Sequence, residues 1–204
     1  VSFPIQKDSR KRLSAPFTAT VFVLLLGTLG GCTTVLTQTS DKPLESDPGS
    51  RTLGAVIDDQ GIETTATVNI RKTDPALEEA NIVVTSYNGV VLLSGQAPNE
   101  DLRTRAAQVA ASVKNVRRVY NELIVAPNSE FAVRSSDTLL TAKVKTRLLA
   151  TKGIKDSRVK VVTENGTVFL MGLVTHAEGD IAGKITQETG GVQKVVRMFE
   201  YVDG

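Results

Sequence analysis

Two stretches of the chain carry the same alternation of apolar and polar positions. Residues 81–95, Asn-Ile-Val-Val-Thr-Ser-Tyr-Asn-Gly-Val-Val-Leu-Leu-Ser-Gly, align without a gap with residues 158–172, Arg-Val-Lys-Val-Val-Thr-Glu-Asn-Gly-Thr-Val-Phe-Leu-Met-Gly. Val84/Val161, Asn88/Asn165, Gly89/Gly166, Val91/Val168, Leu93/Leu170 and Gly95/Gly172 coincide. Each copy predicts two strands joined by Asn-Gly, the pair that supplies the positive φ angles of a two-residue hairpin turn. An internal repeat of this kind sets the domain count before any other consideration.

Helical periodicity brackets both hairpins. Segments from Asp59 to Arg71 and from Asp137 to Ala150 precede them. A second helix follows each, with Asn99 as N-cap ahead of Leu102, Ala106, Val109 and Val113 in the first copy. In the second copy Thr175 and Glu178 form a capping box, and Gly190-Gly191 is the stop. A last strand closes each unit, Val116 to Val125 and Val192 to Val202. The order α-β-β-α-β, twice, predicts an α+β protein of two tandem domains, each a three-stranded mixed sheet with two helices on one face. The boundaries expected are 57–126 and 136–204, with a linker at 127–135 containing Pro127-Asn128-Ser129 and Ser135. That linker is too short for any reach, so the two domains are expected to touch.

The N-terminal part has a different character. Lys7, Arg10, Lys11 and Arg12 precede an uncharged run from Pro16 to Leu29, which ends in Gly30-Gly31-Cys32. A basic start, a short apolar run and small residues before a cut form the export pattern, and the run is shorter than the roughly 20 residues of a membrane-spanning helix. Residues 1–31 therefore read as a signal peptide, and Leu29-Gly30-Gly31-Cys32 resembles a lipobox. The resemblance implies that the thiol of Cys32 receives lipid and that acyl chains hold the protein to a membrane. Thr33 at the following position implies, by likeness to enterobacterial lipoproteins, the outer membrane. From 32 to 56 the composition, rich in Thr, Ser, Asp, Pro and Gly, predicts a flexible tether.

Charge and composition exclude several function classes. The sequence pI of 8.7 comes largely from the leader: residues 1–31 carry net +3, 32–126 net −3 and 127–204 net +2. A nucleic-acid reading from that pI would be mistaken. Aromatic residues make up 4% with no Trp, too few for a base-stacking platform. The chain has one histidine, His176, and one cysteine, so neither a metal site nor a nucleophile–base pair is supplied. No catalysis and no cofactor are expected.

The sharper candidate is the first helix of the second copy. Lys143, Lys145, Arg147, Lys152, Lys155, Arg158 and Lys160 face only Asp137 and Asp156 between 137 and 160. On a helical wheel Leu140, Val144 and Leu148 share the core face, while Leu139, Lys143, Thr146 and Ala150 share another, with Ala142 and Arg147 at its margins. Apolar reach beside positive charge suits anionic lipid headgroups. The same residues equally describe one exposed leucine on a solvated helix.

The succession of a helix, Asn-Gly-Val-Val-Leu-Leu-Ser-Gly at 88–95, a further helix and Val-Arg-Arg-Val-Tyr-Asn-Glu-Leu at 116–123 resembles the BON domain of bacterial periplasmic stress proteins. So do Asp137-Thr138 leading into Thr141-Ala142-Lys143-Val144, and residues 163–175. The resemblance implies a non-enzymatic lipoprotein on the periplasmic face of the outer membrane. Its second domain would bind phosphatidylglycerol or cardiolipin through Leu139, Lys143, Thr146, Arg147 and Ala150, with enrichment at division sites and a part in envelope integrity. Close enteric relatives carry tryptophan where this chain has Leu139. In the first copy Glu63, Thr64, Thr65 and Thr67 offer no equivalent patch. The rival expectation is a protein adaptor for outer-membrane assembly machinery, division proteins or cell-wall remodelling.

Overall fold

The computed structural model describes residues 49–155 and 158–203. The expected signal peptide at 1–31, the lipidation site Cys32 and most of the expected tether lie outside the described residues. Helical structure nevertheless begins before 56, within the stretch read as tether. Thr52 caps a helix, its hydroxyl accepting from the Ala55 N–H at 3.1 Å, and α1 runs Leu53–Thr73. The single-turn α2 follows at Pro75–Glu78, with the Asp74 carboxylate as its cap. The strands β1 (Ile82–Tyr87) and β2 (Val90–Ala97) then pair antiparallel. Helix α3 spans Glu100–Ala111, capped by Asn99 as its sequence predicts. The expected last strand is broken into β3 (Arg118–Asn121) and β4 (Ile124–Val125), both parallel to β2. Between them Leu123 plugs the core of the unit.

The second unit repeats this order. Helix α4 spans Phe131–Leu149, so the stretch read as linker contributes its first turn, and the helix does not begin at Asp137. Strands β5 (Val159–Glu164) and β6 (Thr167–Val174) form the hairpin. Helix α5 (His176–Gln187) starts on the Thr175/Glu178 capping box, and β7 (Lys194–Tyr201) lies parallel to β6. Both Asn-Gly turns carry positive φ at both residues, 53° and 74° at Asn88-Gly89, 48° and 72° at Asn165-Gly166. Gly95 and Gly172 recur for a steric reason. A Cβ on either would lie about 2 Å from the carbonyl oxygen of Asn81 or Arg158 on the neighbouring strand.

Each sheet is covered on one side by its own helices. Ile62, Ala66 and Ile70 of α1 and Leu102, Ala106 and Ala110 of α3 pack on Val84, Val91 and Leu93. Leu140, Val144 and Leu148 of α4, with Ala182 of α5, pack on Val161, Val168 and Leu170. The other faces meet each other. Tyr87, Val90 and Leu92 of the first sheet close on Phe169, Met171 and Met198 of the second, a third apolar core shared by both repeats. The order of layers is helices, sheet, sheet, helices. That explains why β2 is buried at every position instead of alternately.

The two hairpins cross this seam in opposite directions. Tyr87, at the turn end of β1, donates its hydroxyl to the carbonyl oxygen of Arg158, just before β5, at 3.1 Å. Gln96, at the far end of β2, donates to Glu164, at the turn end of β5, at 2.8 Å. Lys160 bridges to Glu63 of α1 at 2.8 Å, and Arg117 to Glu200 of β7 at 2.6 Å.

A candidate membrane-facing helix surface

The position of α4 is set by a carboxylate. Asp137, buried nearly two turns into the helix, accepts from the backbone N–H groups of Asn165 and Gly166 at 2.7 and 2.9 Å. The helix is thus latched to the hairpin turn it covers. Asp59 does the same in the first repeat, accepting from the N–H groups of Asn88 and Gly89 at 2.8 Å each, from the Ser86 hydroxyl at 2.7 Å and from Arg51 at 2.7 Å. Burial by itself raises the Asp59 carboxyl pKa. Those four donors outweigh it and hold the group below its ordinary value. Sequence reasoning marked both aspartates as helix starts and missed the latch. The signal available was their near-constant spacing to the two Asn-Gly turns.

With Leu140, Val144 and Leu148 committed to the core, Leu139 points away from it and is 71% exposed. Lys143, Thr146 and Ala150 are exposed on the same side, and Leu149 adds a further exposed apolar side chain. The Lys143 ammonium donates to the carbonyl oxygen of Gly190 at 3.2 Å, which ties the α5–β7 connection to this face. Arg147 departs from the expectation. It is half-buried, donating to the Thr189 hydroxyl at 3.0 Å and lying 3.9 Å from Glu188, so its guanidinium turns toward α5.

The basic stretch is likewise less available than its residue types suggest. Arg158 is buried against Glu178 at 2.9 Å, and Lys160 is committed to the seam. Burial acts to raise the Glu178 carboxyl pKa, but the Thr175 N–H and the Arg158 guanidinium bring it below its ordinary value. Burial pushes Glu164 the other way, above its ordinary value, despite the amide donated by Gln96. His176 is exposed at the start of α5 and stacks on Tyr201 at 3.9 Å between centroids. Among the described residues no group of His, Cys, Asp and Glu could hold a metal ion.

Two copies of one latched α-β-β-α-β unit make a recognisable pattern, and the sequence family described as BON domain matches residues 58–127 and 136–203. The chain belongs to the BON domain family. It is 36% identical over 193 residues to the outer membrane lipoprotein DolP of Haemophilus influenzae, covering 95% of this chain and 97% of that one. It is 38% identical over 152 residues to a 21 kDa hemolysin of Actinobacillus pleuropneumoniae, covering 74% and 78%. It is also 32% identical over 153 residues to the osmotically-inducible protein Y of Escherichia coli, covering 73% and 75%. The two BON domains share the latch and the hairpin and differ in what their first helices show to solvent. Among the described residues no helix is long and apolar enough to cross a membrane.

Proposed function

We propose that this chain is a non-enzymatic outer-membrane lipoprotein, acylated at Cys32, which binds anionic phospholipid through the exposed side of α4 and supports envelope integrity and cell division. The observation that carries this reading is Leu139, 71% exposed on a latched helix with the Lys143 ammonium one turn away. A side chain held outward on a rigid helix loses little conformational entropy when it enters an interface. The cations beside it favour phosphatidylglycerol or cardiolipin over neutral lipid. Thr146 and Ala150 continue the surface, while Arg147 orients the α5–β7 connection. The likeness to the Haemophilus outer membrane lipoprotein over nearly the whole length supports the cellular address.

Vesicle sedimentation tests the reading. A Cys32→Ser chain is expected to sediment with phosphatidylglycerol vesicles and not with phosphatidylcholine, and to be released as salt shortens the Debye length from about 10 Å at 0.1 M toward 3 Å at 1 M. Equal binding to both vesicle types, or binding unchanged in Leu139→Glu with Lys143→Glu, removes the α4 surface. The adaptor reading draws support from Ile124 and Val125, exposed on the short β4. Partner capture lost on Ile124→Ser with Val125→Ser, and kept in the α4 variant, would favour it.

A further inference from the structure

The first repeat also presents apolar side chains to solvent, at a place its threonines conceal in the sequence. Leu53 is 78% exposed, Ile57 64% and Val56 42%, all within the first five residues of α1. On the helix Leu53 and Ile57 lie about 40° apart and Val56 about 60° to the other side of Leu53, so the three form one cap over the first turn. No cation is exposed among them; the neighbouring charges are the exposed Asp58 and, across a cleft shared with Ala55 and Asp58, Arg117, which is paired with Glu200 at 2.6 Å.

The chain just before this cap is fixed to the body. The Arg51 guanidinium bridges to Asp59 at 2.7 Å and lies 3.9 Å over the Tyr87 ring. Gly49 is buried so close to Arg158 that a Cβ on it would lie 2.4 Å from the guanidine nitrogen. Residues 49–51 thus strap the start of α1 to both repeats. The chain separating Cys32 from this strap is only 33–48. Even at full extension that segment spans no more than about 60 Å.

We infer that Leu53, Val56 and Ile57 form a second membrane contact, inserting into the bilayer that holds the acyl chains of Cys32. The inference rests on the lipid-anchor reading and not on the α4 surface. The occupant follows from where the chain leads: an anchor a short segment away holds this end of α1 beside the bilayer at a high effective concentration, so a small apolar cap suffices. Its chemistry is complementary to that of α4. With no cation of its own, and with the nearby Arg117 engaged by Glu200, it takes lipid irrespective of headgroup charge, and its contact does not weaken with salt.

The test uses the full acylated chain in phosphatidylcholine vesicles containing a nitroxide-bearing lipid, with acylation verified by mass. In separate chains an environment-sensitive dye is placed on Ile57→Cys, on Leu139→Cys and on Asn69→Cys, an exposed position elsewhere on α1. Quenching at 57 several-fold above that at 69, retained in about 0.5 M NaCl where the Debye length is roughly 4 Å, and reduced by Leu53→Gln with Val56→Gln, is the expected result. An acylated chain with 57 quenched no more than 69 overturns the inference and leaves the α4 surface standing if 139 is quenched in phosphatidylglycerol vesicles. Quenching at 57 without quenching at 139 in those vesicles removes the α4 surface alone. A Cys32 without acyl mass removes the anchor and this inference together.

Discussion

The two first helices, α1 and α4, are built to one plan and finished differently. Counting from the latch aspartate, Ile62, Ala66 and Ile70 occupy the same steps after Asp59 that Leu140, Val144 and Leu148 occupy after Asp137, and all six are buried. Where α4 has Leu139 and Lys143, α1 has Gly61 and Thr65. In place of the former pair α1 exposes Leu53, Val56 and Ile57, before the latch. The packing face fixes how the helix sits, which leaves the opposite face free to diverge, and each copy has put its exposed apolar groups at a different point along the same scaffold.

The repeats lose their independence at the seam. Phe169→Ala empties a site shared by both sheets and is expected to cost about 3–4 kcal/mol, with both repeats losing stability together in a denaturant titration followed by separate probes. Two separate transitions in that variant would show that the repeats stand apart. The latches come next. Asp59→Ala strands two turn N–H groups, the Ser86 hydroxyl and Arg51, and is expected to cost about 3 kcal/mol, against about 2 for Asp137→Ala, which strands only the turn N–H groups. Equal costs would mean that Ser86 and Arg51 add nothing.

The Asp59 latch also predicts a pH limb. Its folded pKa lies below the ordinary 3.8, so its contribution is complete above the unfolded value and is lost as pH falls through the folded one, that is, below about pH 4. Asp59→Asn should therefore flatten the acid limb of stability, measured by thermal unfolding between about pH 5 and 2. Moving the α4 surface onto α1, as Gly61→Leu with Thr65→Lys, should raise affinity for phosphatidylglycerol vesicles a few-fold, roughly 1 kcal/mol. No gain there would show that the flanking geometry of the second repeat matters beyond those two side chains. The smallest effect is expected at Glu164, whose raised pKa has the opposite sign. Ionising it in the fold costs stability above its unfolded pKa, so Glu164→Gln should stabilise by a few tenths of a kcal/mol at pH 7 and not at pH 3.

Local features were legible because their determinants are local. The Asn-Gly turns, the Asn99 cap and the Thr175/Glu178 box depend on residues a few positions apart, and the core stripe of α4 follows from its period alone. The start of α4 was not legible, since Glu130 makes no side-chain cap and the residues up to Ser135 read as linker. The break between β3 and β4 depends on Leu123 turning into a core assembled from distant segments. The state of the cations was hidden for a similar reason. Arg147 finds its partners just past the C-terminal end of α5, and Lys160 finds Glu63 in the other repeat. The continuous apolar run of β2 was the visible trace of the seam, because a strand with one solvated face alternates.

The opposed hairpins have a consequence for posture. Each first helix begins near the turn of its own hairpin, so the strap at Gly49–Arg51 and the outward leucine of α4 sit toward opposite poles of the described body. If Cys32 and the α4 surface act as proposed, the particle is moored at one pole and drawn by charge at the other, and works as a lever. In dilute salt both poles would then rest on the bilayer, and in concentrated salt the unmoored pole would swing free while the moored one stayed down, turning ionic strength into height above the membrane.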